Sequence, residues 1–311
     1  MGRCCYYVST HRDPPHVVRL LRLLRTLSPD ALLLLRHDGR TVRLDPAPLR
    51  ALDVKILPAL GEPTRGRFNL VAGPLLDLLA WLAREEIDYD WLVTMTGQDY
   101  VLRPLADYER GLRAGECDAF FRHWDVLAGD GPWRRRKAVQ RYWYRYRDLP
   151  PSSERWVRLL RPLTRALPGV HLALTFGPQI GLRAARVPWR DGFRCYGGWP
   201  WGALHRRAAE RVEGYLRERP ALVDFYRHTI CPEESMVHTV LLNEGLRVRQ
   251  EEQRYIDYRN ARGGHPRTLS SADLPMLAAG GYTLARKFDP DVDAAVFDRI
   301  ESELLGLRAS A

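Results

Sequence analysis

Cys4-Cys5-Tyr6-Tyr7-Val8 is an unbroken apolar run, aromatic and β-branched, and predicts a buried strand. The polar loop Ser9-Thr10-His11-Arg12-Asp13-Pro14-Pro15 follows, and then Val17, Leu20, Leu21, Leu24 and Leu27 recur at helical spacing, predicting a helix over 16–27. A second apolar run over 31–35 ends at Arg36-His37-Asp38-Gly39, which completes a βαβ opening. Further along, Leu75, Leu76, Leu78, Leu79 and Leu82 predict a helix within 66–84, and Trp91-Leu92-Val93-Thr94-Met95 a strand closed by Thr96-Gly97-Gln98-Asp99-Tyr100. Helices are expected over 104–112, 205–217, 232–242 and 291–307, and a short strand over 119–121. Strands alternate with helices, so the fold class is α/β, and ligands are expected where the strands end. No repeat, linker or low-complexity tract divides the chain, which reads as one domain over 1–311.

With 311 residues and 45% hydrophobic content, the chain can bury a large core. Its net charge of +10, almost all from arginine, suits an anionic partner, although GC-rich coding explains most of the excess. The five cysteines have no CxxC spacing and an odd count, so neither a disulfide framework nor a zinc site is expected. No signal-like or membrane-spanning segment is visible, and a cytoplasmic location is expected.

Walker A, GxGxxG, GxSxG and HExxH patterns are all missing. The acidic pairs Asp88/Asp90 and Asp291/Asp293 read as structural: the first precedes its strand, and the second follows Pro290 at a helix start, where capping explains it. The post-strand turn offers one carboxylate, Asp99, a poor ligand set for a divalent metal. Trp133 to Arg147 interleaves cations with rings, as a single-strand nucleic-acid platform would, or a sugar-binding surface; a nucleic-acid partner is the weaker reading because no RNP, KH or zinc-finger pattern accompanies it. In the last third, Cys231-Pro232-Glu233-Glu234 pairs two carboxylates at a helix start, where they complement the dipole or act on a proton. Arg254-Tyr255-Ile256-Asp257-Tyr258, Gly263-Gly264-His265-Pro266-Arg267 and Arg286-Lys287-Phe288-Asp289 then set cations in apolar surroundings.

Taken in order, Val8-Ser9-Thr10-His11-Arg12, Arg36-His37-Asp38, Leu92-Val93-Thr94-Met95-Thr96-Gly97-Gln98-Asp99-Tyr100, Gly198-Trp199-Pro200-Trp201-Gly202, Cys231-Pro232-Glu233-Glu234 and Arg286-Lys287-Phe288-Asp289 resemble the core-2/I-branching glycosyltransferase family, which includes protein xylosyltransferases. The resemblance spans nearly the whole chain and looks like a soluble bacterial member. It implies a single GT-A-type domain, with a Rossmann-like mixed sheet flanked by helices, whose nucleotide-binding half is 1–100 and whose acceptor-binding and catalytic half is 101–311. The implied activity is inverting, metal-independent transfer from a UDP-sugar, most simply UDP-GlcNAc, to a glycan or small-molecule hydroxyl, with no cofactor. UDP-xylose or another UDP-hexose is the alternative donor, and a basic non-catalytic protein that binds nucleic acid or an anionic surface is the alternative class. By the same resemblance Glu234 is the general base, and Arg267 and Lys287 neutralise the departing diphosphate. Ser9, Thr10, His11 and Asp38 hold the nucleotide, Asp99 lies in the donor site, and Trp201 and Tyr258 stack on sugars. Residues 118–149 match poorly, so acceptor and linkage do not carry over.

Overall fold

The computed structural model describes residues 2–12, 14–40, 42–62, 64–164, 167, 169–251, 253–259 and 265–307. Gly263 and Gly264 of the motif around Arg267 lie outside them. The first half runs β1 (Cys4–Thr10), α1 (Pro14–Leu27), β2 (Leu32–His37), α2 (Ala47–Ala51), β3 (Val54–Leu57), α3 (Ala72–Arg84), β4 (Trp91–Thr96), β5 (Asp99–Val101), α4 (Leu105–Ala114), β6 (Ala119–Phe120) and β7 (His123–Asp125). The middle adds α5 (Arg135–Tyr142), β8 (Tyr144–Asp148), α6 (Glu154–Thr164), β9 (Val170–Ala173), β10 (Gln179–Arg183), β11 (Tyr196–Gly198), β12 (Ala203–His205), α7 (Arg206–Glu218) and α8 (Pro220–Arg227). The last part contains α9 (Met236–Asn243), β13 (Val248–Arg249), β14 (Arg254–Ile256), α10 (Leu274–Ala279), β15 (Leu284–Arg286) and α11 (Ala295–Arg299).

A seven-stranded sheet of order β13-β6-β12-β4-β1-β2-β3 organises the α/β fold. Strands β3, β2, β1 and β4 are parallel; β12 runs antiparallel to both neighbours, so the sheet is mixed but mostly parallel. Both faces are covered, which is why β1 reads as a continuous apolar run. Alternation along β1 sends Cys4, Tyr6 and Val8 into one core with α1, and Cys5 and Tyr7 into the other with α3, α7 and α9. The chain order reverses between β1 and β4, so a crevice opens at their carboxyl ends. A second sheet, β14-β15-β5, stands beyond that crevice. A third, β8-β10-β9, carries α6, and β11 pairs with β7.

Several expectations need correcting. The helix expected over 232–242 is a 3-10 turn, Pro232–Glu234, followed by α9. Ser235 separates the two at φ −146°, its hydroxyl donating to the Tyr196 carbonyl at 2.7 Å. Glu233 and Glu234 therefore do not sit on the first turn of an α-helix. The helix expected over 291–307 is the short α11 followed by a π-turn over Ile300–Leu304. Asp293 caps α11, accepting from Val296 N at 3.1 Å, as the capping reading of that pair requires. Among the rings of Trp133 to Arg147, Trp133, Tyr142, Tyr144 and Tyr146 are all buried. Tyr144 and Tyr146 face inward from β8 while Arg147 faces out, so these rings are core and offer no stacking platform.

All five cysteines are free and buried, and burial pushes the Cys4 thiol up to about 12. Thiolate is the reactive species. A thiol-titration reagent should therefore find almost no reactive cysteine in the native protein and five after unfolding. Fast native labelling of several thiols would contradict this packing.

Candidate functional site

The expected nucleotide residues come together at the ends of β1 and β2. Asp38 N donates to the Thr10 carbonyl at 2.8 Å, locking the two strand ends together. The Thr10 hydroxyl donates to the Arg12 carbonyl at 3.1 Å, and His11 is exposed beside them. Arg40 grips the Asp38 carboxylate at 2.9 and 3.0 Å, and this hydrogen bonding holds its pKa below the usual range, with the nearby His11 adding a smaller pull. Ser9 lines a small cavity with Thr94 and Trp201.

Trp201 is brought to this edge by the antiparallel pairing of β12 with β4, Ala203 opposite Val93. The Gly202 amide donates to the Thr94 hydroxyl at 3.1 Å, fixing the loop. Two glycines are needed here: a Cβ on Gly198 or Gly202 would lie 2.2 Å from the carbonyl of Arg122 or Phe120 respectively. His238 Nε2 donates to the Trp199 carbonyl at 3.0 Å, and burial lowers its pKa to about 3, so it is a neutral anchor.

Beneath this loop lies the turn after β4. Asp99 has no exposed surface; its Oδ2 accepts from Thr96 N at 2.7 Å and from the Thr96 hydroxyl at 2.6 Å. Register puts Arg286 of β15 directly opposite Asp99 of β5. Arg254 of β14 approaches Asp99 Oδ1 at 3.7 Å, and both of these side chains are fully buried. Arg254 is thus the guanidinium nearest this carboxylate, and the Arg286 charge also feels it. Nε and Nη1 of Arg286 are sealed with no hydrogen-bond acceptor among the described residues, and burial lowers its pKa despite Asp99. The Arg286 guanidinium lies 4.7 Å from the Trp201 ring centroid. Phe288 N donates to the Gln98 carbonyl at 2.9 Å, which ties Lys287 to the same turn. Lys287 is half-buried without a carboxylate ion pair among the described residues; burial lowers its pKa, Asp289 opposes the shift, and Arg12, Arg286 and Arg65 reinforce it. Asp99, expected in the donor site, is thus wholly buried beneath this edge, beside the cations it supports.

Arg267, expected at the diphosphate, is paired with carboxylates. Its Nε donates to Asp257 at 2.9 Å, and Nη1 and Nη2 donate to Asp273 at 3.0 and 2.7 Å. A guanidinium engaged by two carboxylates is not available to a diphosphate without breaking them. Arg286 is the cation the sequence reading missed; it stands next to Lys287 in the motif, and its proximity to Asp99 is visible only through the strand register.

Glu234 completes the site. Its turn begins at Cys231, whose φ of 51° is left-handed and whose carbonyl accepts from the Tyr142 hydroxyl at 3.0 Å. Arg141 forms an ion pair with Glu234 while lying 4.4 Å from the Trp133 ring centroid. The neighbouring Glu233 is the opposite case: burial pushes its carboxyl up to about 8, Glu234 adds to this, and its Oε2 has no hydrogen-bond partner among the described residues. Tyr258 lies 5.5 Å from Trp199, ring to ring. Partial burial raises its phenol pKa, and the charges of Arg286, Glu234 and Arg141 act on it, although the residue as a whole is 41% exposed. Cys231, Glu233 and Glu234 place ligand atoms within 4.8 Å of one another. Burial raises both the Cys231 thiol and the Glu233 carboxyl, and Arg141 already occupies Glu234, so this donor set suits protons better than a divalent ion. A cavity of about 750 Å³ lies elsewhere, lined by Tyr108, Arg249 and Glu251, and contains none of the expected site residues.

Two outcomes follow. A carboxyl whose pKa is raised in the folded state stabilises fully below its unfolded value and loses that contribution as pH rises through the folded value. Between pH 4.5 and 8 the unfolding free energy of the wild type should fall relative to that of Glu233→Gln. Equal slopes in chemical denaturation at several pH values would contradict the assignment. For Arg267→Ala, loss of two partly solvated ion pairs should lower the unfolding free energy by about 1–2 kcal/mol; no loss would show that they are idle.

No protein-family model matches the chain, and no curated protein does. Among solved structures, the chain is similar to 2-C-methyl-D-erythritol 4-phosphate cytidylyltransferase from Thermus thermophilus, at 14% identity over 86% of this chain and 95% of that one, with a TM-score of 0.33. It is also similar to a protein assigned as a glucose-1-phosphate thymidylyltransferase from Bacillus anthracis, at 9% identity over 80% of this chain and 86% of that one, with a TM-score of 0.35. At these TM-scores neither likeness carries an argument about fold or activity.

Proposed function

We propose that the chain is a GT-A-type glycosyltransferase that moves a sugar, GlcNAc in the simplest case, from a UDP-sugar to a hydroxyl of a glycan or small-molecule acceptor. The reading rests on the resemblance to the core-2/I-branching family and on one observation of the site. That observation is the pair Arg286 and Lys287, without carboxylate ion pairs among the described residues, beside the turn that ends β4. A diphosphate at this crevice would supply the anionic oxygens these cations lack.

In this mechanism Ser9, Thr10, His11 and Asp38 hold the nucleoside, and Trp201 and Tyr258 offer ring faces to the sugars. Glu234 takes the proton from the acceptor hydroxyl as its oxygen attacks C1 from the side opposite the phosphate. The C1–O bond to UDP breaks, and the electron pair leaves on the diphosphate, where Arg286 and Lys287 balance it. Arg286 takes the place that the resemblance gave to Arg267. Arg141 orients Glu234 through their ion pair, while the buried Glu233 stays neutral near pH 7. Cation charge at the leaving group does the work a divalent ion would otherwise do, which makes the transfer metal-independent, and the single displacement from the opposite face makes it inverting.

UDP release from a panel of UDP-sugars should persist in EDTA, and complete loss would remove the metal-independent part of the reading. Glu234→Gln should lose about 10²–10⁴-fold in turnover while keeping its affinity for UDP; near-wild-type turnover would remove Glu234 as the base. By calorimetry, Lys287→Ala should weaken UDP binding about tenfold or more, whereas Arg267→Ala should leave it within about twofold. The reverse order would restore Arg267 as the diphosphate cation.

A further inference from the structure

Helix α6 has its apolar face on the outside. Val157 is buried, whereas Trp156, Leu159, Leu160 and Leu163 are exposed at 56%, 64%, 44% and 66%. These four positions are spaced i, i+3, i+4 and i+7, so they form one stripe along the helix. Leu167, just after the helix, and Leu182, on the sheet that α6 packs against, are also exposed, at 53% and 57%. Six of the thirteen exposed large hydrophobics among the described residues thus fall within this one small module. Such a cluster exceeds the scattered single side chains of an ordinary surface.

The charge around the stripe has one sign. Arg155, Arg158 and Arg161 lie on the helix against a single acid, Glu154, which pairs with Arg158 at 2.7 Å. Arg155 and Arg161 have no carboxylate ion pair among the described residues. Exposed Arg134, Arg135 and Arg136 stand at the start of α5, and Arg136 and Arg161 both act on His171 of β9, so the two basic segments adjoin. A shallow groove of about 720 Å³ runs past Pro151, Ser152, Arg155, Arg158 and Leu159. A second copy is a poor occupant, because a two-fold contact would bring these arginines against their own equivalents. An interface with hydrocarbon below and phosphate above satisfies both halves of the pattern: leucine and tryptophan enter, and arginine stems reach the headgroups. No described helix is long and apolar enough to span a membrane, so contact would be in the interfacial plane.

We propose that the outward stripe of α6, with its arginine border, seats the protein on an anionic lipid surface. This is independent of the sugar-transfer reading. The test is flotation with vesicles of phosphatidylcholine alone and of equimolar phosphatidylcholine and phosphatidylglycerol. Wild-type protein should float with the anionic vesicles and not with the neutral ones. The exposed double variant Leu159→Ser/Leu163→Ser should lose about tenfold or more in partitioning while its thermal melting stays unchanged. Arg155→Ala/Arg161→Ala should also lose binding, about fivefold per arginine. The proposal is overturned if wild-type protein floats with neither vesicle, or if the leucine variant floats as well as wild type. It is equally overturned if the leucine variant only converts a dimer to a monomer in size-exclusion chromatography, which would make the stripe a self-association face.

Discussion

Removing a charged side chain from water costs several kcal/mol unless a counter-charge or hydrogen bonds replace the solvent. At the end of β4 this molecule buries Asp99 with two guanidinium groups, Arg254 and Arg286, in reach of it. The carboxylate balances one of them. Both keep sealed donors without an acceptor among the described residues, Nε and Nη1 in each, and Lys287 follows Arg286 immediately in the chain. An electrostatic imbalance of this kind is stabilised by an anion, and its position at the β1/β4 switch point is where an open α/β sheet admits one. Around that imbalance stand Trp201, over Arg286, and Tyr258, on which Arg286 and Glu234 both act, with Arg141 on Glu234.

The imbalance is a product of topology. Asp99 and Arg286 are far apart in the chain and meet because β5 and β15 pair antiparallel in one register; a slip of one residue would turn the guanidinium to the other face. The same small sheet brings Arg254 from β14. Thr96 holds the carboxylate from behind with its amide and hydroxyl, so the orientation of Asp99 is set before any ligand arrives.

Much of this was legible in the sequence, and the remainder was hidden for identifiable reasons. Unbroken apolar runs located β1 and β4, and helical periodicity located α1, because both depend on local pattern alone. The turn Gly97-Gln98-Asp99 could be placed at a strand end for the same reason. The pairing of Arg267 was hidden because its partners Asp257 and Asp273 come from separate loop positions that no motif joins. Arg286 was overlooked because adjacent residues at a strand end look equivalent until the register is known. The interleaved rings of 133–147 carried a readable clue: Tyr144 and Tyr146 alternate with arginine, the period of a strand with one buried face. The apolar stripe of α6 is also plain in the sequence, but spacing alone does not say whether protein or solvent covers it.

The most direct measurement is a crystal structure with UDP bound. The account predicts diphosphate oxygens within hydrogen-bond distance of Arg286 and Lys287, with Asp257 and Asp273 still holding Arg267. A diphosphate seated on Arg267 with those carboxylates displaced, or lodged in the cavity beside Tyr108 and Arg249, would contradict it.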